Sequence, residues 1–220
     1  ECVGHPLLDI VIPAMDKRQF LNKFGLSPSK KTIALLPGSR STEIENILPV
    51  MLGASRLIHK NIKNTQFVIA KSPQVDWSIY NRIIHGLNIE LEIVEGKAYD
   101  CMEAADFCLV ASGTATLETA ISGKPFLVIY KMGILNYLLY RPQVVLPYIG
   151  MVNIVAGKKI IPEFIQFQAR AKNIADEALE ILKNPSRMEE IKSGLALVKA
   201  ALGEKGAASR AARIILNFLK

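Results

Sequence analysis

Two patterns of apolar and polar positions alternate along residues 31–130. Short and almost continuous apolar runs, typical of strands buried on both faces, alternate with stretches in which apolar residues recur every three or four positions. The apolar runs are Thr32–Leu36, Gln66–Ala70, Leu91–Val94, Phe107–Val110 and Phe126–Tyr130. The helical stretches between them are Thr42–His59, Asp76–Leu87, Ala98–Ala104 and Ala115–Ser122. This alternation predicts an α/β fold with a Rossmann-like, doubly wound parallel sheet.

The residues on either side of this region follow other patterns. Residues 1–30 contain a turn and one short amphipathic helix, and we interpret them as a connector. Residues 169–220 have a helical pattern with breaks near Pro185 and Gly203. We therefore expect a central domain at residues 31–168, followed by helices that pack on it or on a partner subunit.

Composition narrows the classes of partner. The chain has 220 residues, half of them hydrophobic, which suits one sizeable α/β domain with a small appendage. A net charge of +7 favours an anionic lipid or a phosphorylated substrate. Nucleic acid is the least favoured partner, because no basic run is interleaved with aromatic residues. The three cysteines lack metal-ligand spacing, so we expect a reduced cytosolic setting and no metal site.

No run of about 20 apolar residues is present, so we expect no transmembrane span. The stretch Met132–Tyr140 is apolar and aromatic, with Lys131 and Arg141 on its flanks. It suits either the core or a surface lying on lipid headgroups. The chain begins without an initiator methionine, and we expect it to be part of a longer protein.

The strongest candidate for chemistry is Ser112-Gly113-Thr114, which stands between a predicted strand and a predicted helix. Such a corner presents backbone N–H groups, the helix dipole and two hydroxyls to an anion. Glu118 lies on the same helix face, where its carboxylate could accept hydrogen bonds from the vicinal hydroxyls of a ribose. The alternatives are an ordinary turn of small residues and a solvated helix charge.

A second corner of the same kind is Gly38-Ser39-Arg40, after the first predicted strand. Glycine permits close backbone approach, and arginine offers a planar fork to phosphate oxygens. Glu43 either orients Arg40, contacts a sugar or complements the helix N-terminus. Two such corners predict a nucleotide-diphosphate cleft at the carboxyl ends of parallel strands, although a plain loop with a surface arginine is the alternative.

Two further groups of residues extend this candidate site. The loop Glu95–Tyr99 follows the third predicted strand at the same edge and either contacts a nucleobase or is a plain loop. Asn153, Glu163 and Gln166 are polar residues within apolar sequence, and they would be costly to bury without partners. They either pair with one another or face a polar ligand.

With these residues in view, most of the chain resembles the lipid-A-disaccharide synthases, which are glycosyltransferases of the two-Rossmann (GT-B) architecture. The strand–turn–helix corners are shared loosely by many such enzymes, whereas the segment from Asn153 to Gln166 is much more specific. The motifs that carry the resemblance are Val3–Leu7, Leu36–Arg40 with Glu43, Ser112–Glu118, Tyr130-Lys131, Pro147–Gly150, Asn153, Ala156-Gly157, Pro162-Glu163 and Gln166.

The resemblance implies an inverting transfer of 2,3-diacylglucosamine from its UDP derivative to 2,3-diacylglucosamine 1-phosphate. The products would be lipid A disaccharide 1-phosphate and UDP, within lipid A synthesis in Gram-negative bacteria. It also implies a peripheral location on the cytoplasmic face of the inner membrane, because both substrates carry acyl chains. No metal and no cofactor are expected.

The resemblance assigns this chain to the carboxyl-terminal, UDP-binding half of such an enzyme. Arg40 would stabilise the departing diphosphate, Glu118 would hold the ribose, and the uracil would lie near Glu95. The general base and most of the acceptor site would belong to an absent amino-terminal half, so we expect no turnover by this chain alone. The full set of expected donor contacts is Gly38, Ser39, Arg40, Glu43, Glu95, Ser112, Gly113, Thr114, Glu118, Asn153, Glu163 and Gln166.

Two alternatives stay open at this point. One is another UDP-sugar enzyme of the same architecture, such as a peptidoglycan N-acetylglucosaminyltransferase or a UDP-sugar 2-epimerase. The other is a non-catalytic module that binds a nucleotide or a membrane. The carboxyl-terminal helices, which in the resembled family can exchange between subunits, also make a homodimer possible.

Overall fold

The computed structural model describes residues 3–134, 137 and 147–218. Its strands are β1 (Lys31–Leu36), β2 (Thr65–Lys71), β3 (Leu91–Glu95), β4 (Phe107–Ala111), β5 (Phe126–Tyr130) and β6 (Glu163–Ile165). Its α-helices are α1 (Leu7–Ile10), α2 (Lys17–Lys23), α3 (Ser41–Asn61), α4 (Trp77–Ile84), α5 (Ala98–Ala104), α6 (Thr114–Ile121), α7 (Met151–Ala156), α8 (Ala171–Lys183), α9 (Pro185–Ala201) and α10 (Ala207–Phe218). The five strands and four helices predicted between residues 31 and 130 are confirmed, with small shifts in their ends.

The strands form one parallel sheet in the order β3-β2-β1-β4-β5-β6. The chain builds outward from β1 to β3, returns to the centre at β4, and then builds outward in the other direction. This is the predicted doubly wound arrangement. The change of direction leaves a crevice at the carboxyl ends of β1 and β4, where such sheets bind ligands.

The sheet is buried on both faces because helices cover it. All seven residues of β2 are buried, as are all five of β4. Helix α3 packs against α4 and α8, α5 packs against α2, and α6 packs against α1, α7 and α9. One hydrophobic core therefore extends from Leu7, before the sheet, to Leu202, at the end of α9.

Two cysteines belong to this core. Cys101 and Cys108 are free and fully buried, and burial raises the pKa of both thiols, that of Cys108 to about 12. A thiol with a raised pKa is a poor nucleophile at neutral pH. These two residues therefore act as small core residues.

The sequence patterns above assign no helix between residues 142 and 162, whereas α7 occupies Met151–Ala156. The edge strand β6 was also missed, because three residues are too few to show a period of two. Its evidence is tertiary: Glu163 pairs in register with Val128 and Phe164 with Ile129 of β5.

The prediction for Met132–Tyr140 falls largely outside the described residues. Within the described ranges, no helix combines the length and the apolar composition that crossing a bilayer requires.

The packing of α3 on α8 generates a testable prediction. A Cβ added at Gly53 would lie 2.8 Å from the Cβ of Ala171, so Gly53→Ala overpacks the contact. Alanine normally stabilises a helix interior by up to about 1 kcal/mol relative to glycine, whereas overpacking costs about 1–3 kcal/mol. We therefore expect denaturant titration to show a free energy of unfolding lowered by about 1 kcal/mol.

The matched control is Gly53→Ala combined with Ala171→Gly, which restores the space and should be more stable than Gly53→Ala alone. A Gly53→Ala protein as stable as the parent would contradict the close approach of the two helices.

Candidate functional site

Both predicted corners lie side by side at the centre of the sheet. Leu36 at the end of β1 pairs in register with Val110 near the end of β4, so the segments that follow them leave the sheet together. A cavity of about 730 Å³ opens between them. The predicted site residues that line it are Gly38, Ser39, Arg40, Glu43, Ser112, Gly113, Thr114 and Glu118.

The first corner is ordered by Glu43. Its Oε2 accepts hydrogen bonds from the N–H groups of Ser39 (3.0 Å) and Arg40 (3.4 Å), and its Oε1 pairs with Arg40 Nη1 at 2.9 Å. Gly38 has φ +111°, and a Cβ there would lie 2.5 Å from Glu43 Oε2. Of the three roles considered for Glu43, the structure shows two. Glu43 caps the N-terminus of α3 from its first turn, and it orients Arg40, whose side chain stays 78% exposed.

The second corner is fixed from the neighbouring strand and loop. The N–H of Ser112 donates to the carbonyl of Ile129 (2.9 Å), and its Oγ donates to the carbonyl of Ile149 (3.2 Å). Both hydrogens of Ser112 are thus committed within the protein. An anion, which only accepts hydrogen bonds, would instead meet the first N–H groups of α6 and the exposed Thr114.

Glu118 faces this cavity from α6 and is partly buried. Tyr99, at the start of α5, donates its hydroxyl hydrogen to Glu118 Oε1 at 3.1 Å. Burial raises the pKa of Glu118, although the hydrogen bond from Tyr99 opposes the shift. Burial and the nearby carboxylate raise the pKa of Tyr99 to about 12, so the tyrosine remains a donor at neutral pH.

Sequence reasoning missed a buried cation at the same edge. The side chain of Lys71, at the end of β2, is 1% exposed and lines the cavity. Its Nζ lies 2.6 Å from Glu95 Oε1 and donates to the carbonyl of Ser72 (3.1 Å), with the rings of Trp77 and Tyr80 at 4.9 and 5.6 Å. A lysine that ends an otherwise apolar buried strand is the signal that could have revealed it.

This arrangement changes the interpretation of Glu95. Its carboxylate accepts from Lys71 and, at 3.2 Å, from Trp77 Nε1. The bond to Lys71 is the main cause that lowers the pKa of Glu95. Glu95 lies behind Lys71 and is not among the residues that line the cavity, whereas the neighbouring Gly96 and Lys97 are.

Asp100 is a second residue that the sequence did not suggest. This buried carboxylate accepts from the N–H groups of Ala14 (2.6 Å) and Met15 (2.9 Å). It therefore holds the segment before α2 against the cavity, and Ile12 and Ala14 form part of its wall. Among residues 3–134, 137 and 147–218, no cluster of three histidine, cysteine or acidic side chains is placed to hold a metal ion.

The remaining predicted residues, Asn153, Glu163 and Gln166, lie outside the lining of this cavity. Asn153 and Glu163 hydrogen-bond to each other at 2.8 Å, and Gln166 bonds to the backbone of Met132. The structure thus favours the first of the two possibilities set by the sequence, namely that buried polar groups pair within the protein. Asn153 and Glu163 adjoin the site through Ile149, whose N–H donates to Glu163 and whose carbonyl accepts from Ser112.

Solved structures share this fold at low identity. A putative UDP-N-acetylglucosamine 2-epimerase from Listeria monocytogenes matches 99% of this chain and 53% of its own, with TM-score 0.64 and 18% identity. A UDP-GlcNAc 2-epimerase from Neisseria meningitidis, solved bound to UDP-GlcNAc, matches 91% of this chain and 48% of its own, with TM-score 0.57 and 17% identity. These likenesses support the GT-B type of fold and carry no assignment of function.

Sequence comparison is more specific. The lipid-A-disaccharide synthase of Syntrophus aciditrophicus is 43% identical over 220 residues, which are 99% of this chain and 57% of the relative. The chain thus spans somewhat more than half the length of this relative. The family model described as lipid-A-disaccharide synthetase matches residues 1–217. The chain therefore belongs to the lipid-A-disaccharide synthetase family.

Proposed function

We propose that this chain is the half of a lipid-A-disaccharide synthase that binds the UDP-sugar donor. The observation that carries the proposal is the pair of strand–turn–helix corners at the β1–β4 crevice, with Arg40 and Glu118 facing one cavity. Membership of the family supplies the substrate class. The Neisseria epimerase, solved with UDP-GlcNAc, supports binding of this type of ligand by a related fold.

Each cavity residue has a distinct role in this proposal. The diphosphate lies at the start of α6, where N–H groups of the first turn and the helix dipole stabilise negative charge. The exposed guanidinium of Arg40 takes up the charge that develops on the departing UDP. Glu118 accepts hydrogen bonds from the ribose hydroxyls. Lys71 lines the same wall with its charge paired to Glu95.

The reaction proposed for the whole enzyme is the inverting transfer of 2,3-diacylglucosamine from UDP to 2,3-diacylglucosamine 1-phosphate. The Syntrophus relative is longer than this chain, since the region that matches this chain covers 57% of that protein. We infer that residues 31–168 bind the donor and that the rest of the enzyme supplies the general base and most of the acceptor site. This chain alone should then bind UDP without turnover.

Location and assembly follow from the same proposal. Substrates with acyl chains place the enzyme on the cytoplasmic face of the inner membrane, and the net charge of +7 suits an anionic surface. Helix α10 leaves Ile215 and Leu216 more than half exposed. An exposed apolar face of this kind supports contact with a second subunit through the carboxyl-terminal helices.

The first prediction concerns the cleft itself. Calorimetric titration should detect UDP binding to the 220-residue chain and no comparable binding of AMP. Arg40→Ala and Glu118→Ala should each weaken UDP binding roughly three- to tenfold, which corresponds to about 0.7–1.4 kcal/mol per contact. Neither variant should unfold the domain, because both side chains lie at the cavity surface.

Arg187→Ala is the matched control for Arg40→Ala. Arg187 pairs with Glu190 at 2.9 Å and a spacing of three residues, as Arg40 does with Glu43, but it lies on α9 and does not line the cavity. UDP affinity unchanged in both Arg40→Ala and Glu118→Ala would refute the proposed cleft.

A second prediction concerns pH. The ionised carboxylate of Glu118 accepts ribose hydroxyl hydrogens more strongly than the protonated carboxyl group does, and burial raises the pKa of Glu118. Binding should therefore be strongest above that raised pKa and should weaken as the pH falls through it, starting above the usual glutamate range. The affinity for UDP, measured by calorimetry at steps from pH 8 to 4.5, tests this dependence.

Glu118→Gln separates this effect from the titration of the ligand, since a phosphate also gains a proton near pH ~6. The affinity of Glu118→Gln for UDP should keep the pH dependence that comes from the phosphate of UDP and lose the pH dependence that comes from Glu118. Identical pH profiles for the parent and Glu118→Gln would rule out a titrating contact at this residue.

A further inference from the structure

Glu163, at the start of β6, holds the backbone of a segment that lies next to the site. The N–H groups of the consecutive residues Ile149 and Gly150 donate to its two carboxylate oxygens, each at 2.9 Å. Two adjacent N–H groups aimed at one carboxylate fix the direction of the chain at this point. Gly150 leaves the space that this needs, because a Cβ there would lie 3.0 Å from Glu163 Oε1.

Asn153 locks the carboxylate in place. Its Nδ2 donates to Glu163 Oε1 (2.8 Å) and to the carbonyl of Ile161 (2.7 Å). Its Oδ1 accepts from the N–H groups of Ile160 and Ile161 at 2.8 and 2.9 Å. The side chain is fully buried and all its hydrogen-bonding capacity is used inside the protein. Asn153 therefore has no polar group left over for a nucleotide, and Glu163 uses three of its roughly four acceptor positions within the protein.

One hydrogen bond connects this network to the cleft. The carbonyl of Ile149, whose N–H is held by Glu163, accepts from Ser112 Oγ at 3.2 Å. Ser112 directly precedes Gly113, the residue before the first turn of α6. A displacement of Ile149 would therefore also displace Ser112 and the start of α6, whose N–H groups face the proposed diphosphate position.

We propose that Glu163 and Asn153 form a clamp that positions Ser112 through Ile149, so that both act on UDP binding without touching the ligand. They are positioning residues. The inference rests on the proposed UDP-binding function and differs from the assignment of these side chains as donor contacts.

A double-mutant cycle on UDP affinity tests the clamp. In Glu163→Gln, one carboxylate oxygen becomes an NH₂ group that faces an N–H donor, so at least one of the two bonds to Ile149 and Gly150 is lost. We expect Glu163→Gln and Ser112→Ala each to weaken UDP binding several-fold, and the double variant to bind no worse than the weaker single. Coupling of this kind is expected when two residues act through one contact.

Amide hydrogen exchange of the unliganded proteins gives a readout that is independent of the ligand. The Ile149 and Gly150 amides should exchange slowly in the parent and in Ser112→Ala, and faster in Glu163→Gln. Gly150→Ala is a second clamp variant, which crowds the carboxylate while keeping every hydrogen-bonding group of the network. It covers the case in which Glu163→Gln fails to fold, and it should weaken UDP binding in the same coupled way.

The outcomes separate the two proposals. If the losses of UDP affinity in Glu163→Gln and Ser112→Ala multiply in the double variant, the two residues act independently. This result would overturn the clamp proposal and favour direct contact of Glu163 with the ligand. Unchanged UDP affinity in the folded clamp variants would also overturn it. Failure of the parent chain to bind UDP would overturn the proposed function, together with any role of the clamp in that binding.

Discussion

The parallel pairing of β1 with β4 is the constraint on which the site depends. Ile33 pairs with Phe107, which lies 74 residues later in the chain, and this pairing places the ends of the two strands side by side at the centre of the sheet. Because both strands point the same way, both of the turns that follow them open into one crevice. The same pairing requires the strands to be apolar, since each is covered on both faces by helices.

Carboxylates around this crevice serve mainly to hold the protein itself. Glu43 orders the first corner, Glu95 neutralises the buried Lys71, and Glu163 fixes the backbone at Ile149 and Gly150. Glu118 differs from these three, since its described hydrogen bond comes only from Tyr99 and its carboxylate faces the cavity. Cations and N–H groups of the protein therefore pair with most of the carboxylates around the crevice.

Polar residues at the edge of the sheet show why a sequence cannot separate a ligand contact from a structural one. Asn153 and Glu163 stand within apolar sequence, and this predicted correctly that they would be buried with partners or at a ligand. The choice between the two depends on distances to Ile149, Gly150 and Ile161, which no local pattern contains. The position of Lys71 at the end of a buried strand is visible in the sequence, whereas its pairing with Glu95 at 2.6 Å is not.

By itself, the sequence determined the doubly wound sheet, the positions of five strands and the two corners, because hydrophobic periodicity and small-residue turns are local properties. Its motifs also indicated the family. The edge strand β6, α7, the pairing of the buried Lys71 with Glu95 and the Glu163 network became visible only in the folded structure. Apart from α7, whose backbone hydrogen bonds are local, each of these depends on groups that are separated along the chain and that the folded sheet places within reach of one another.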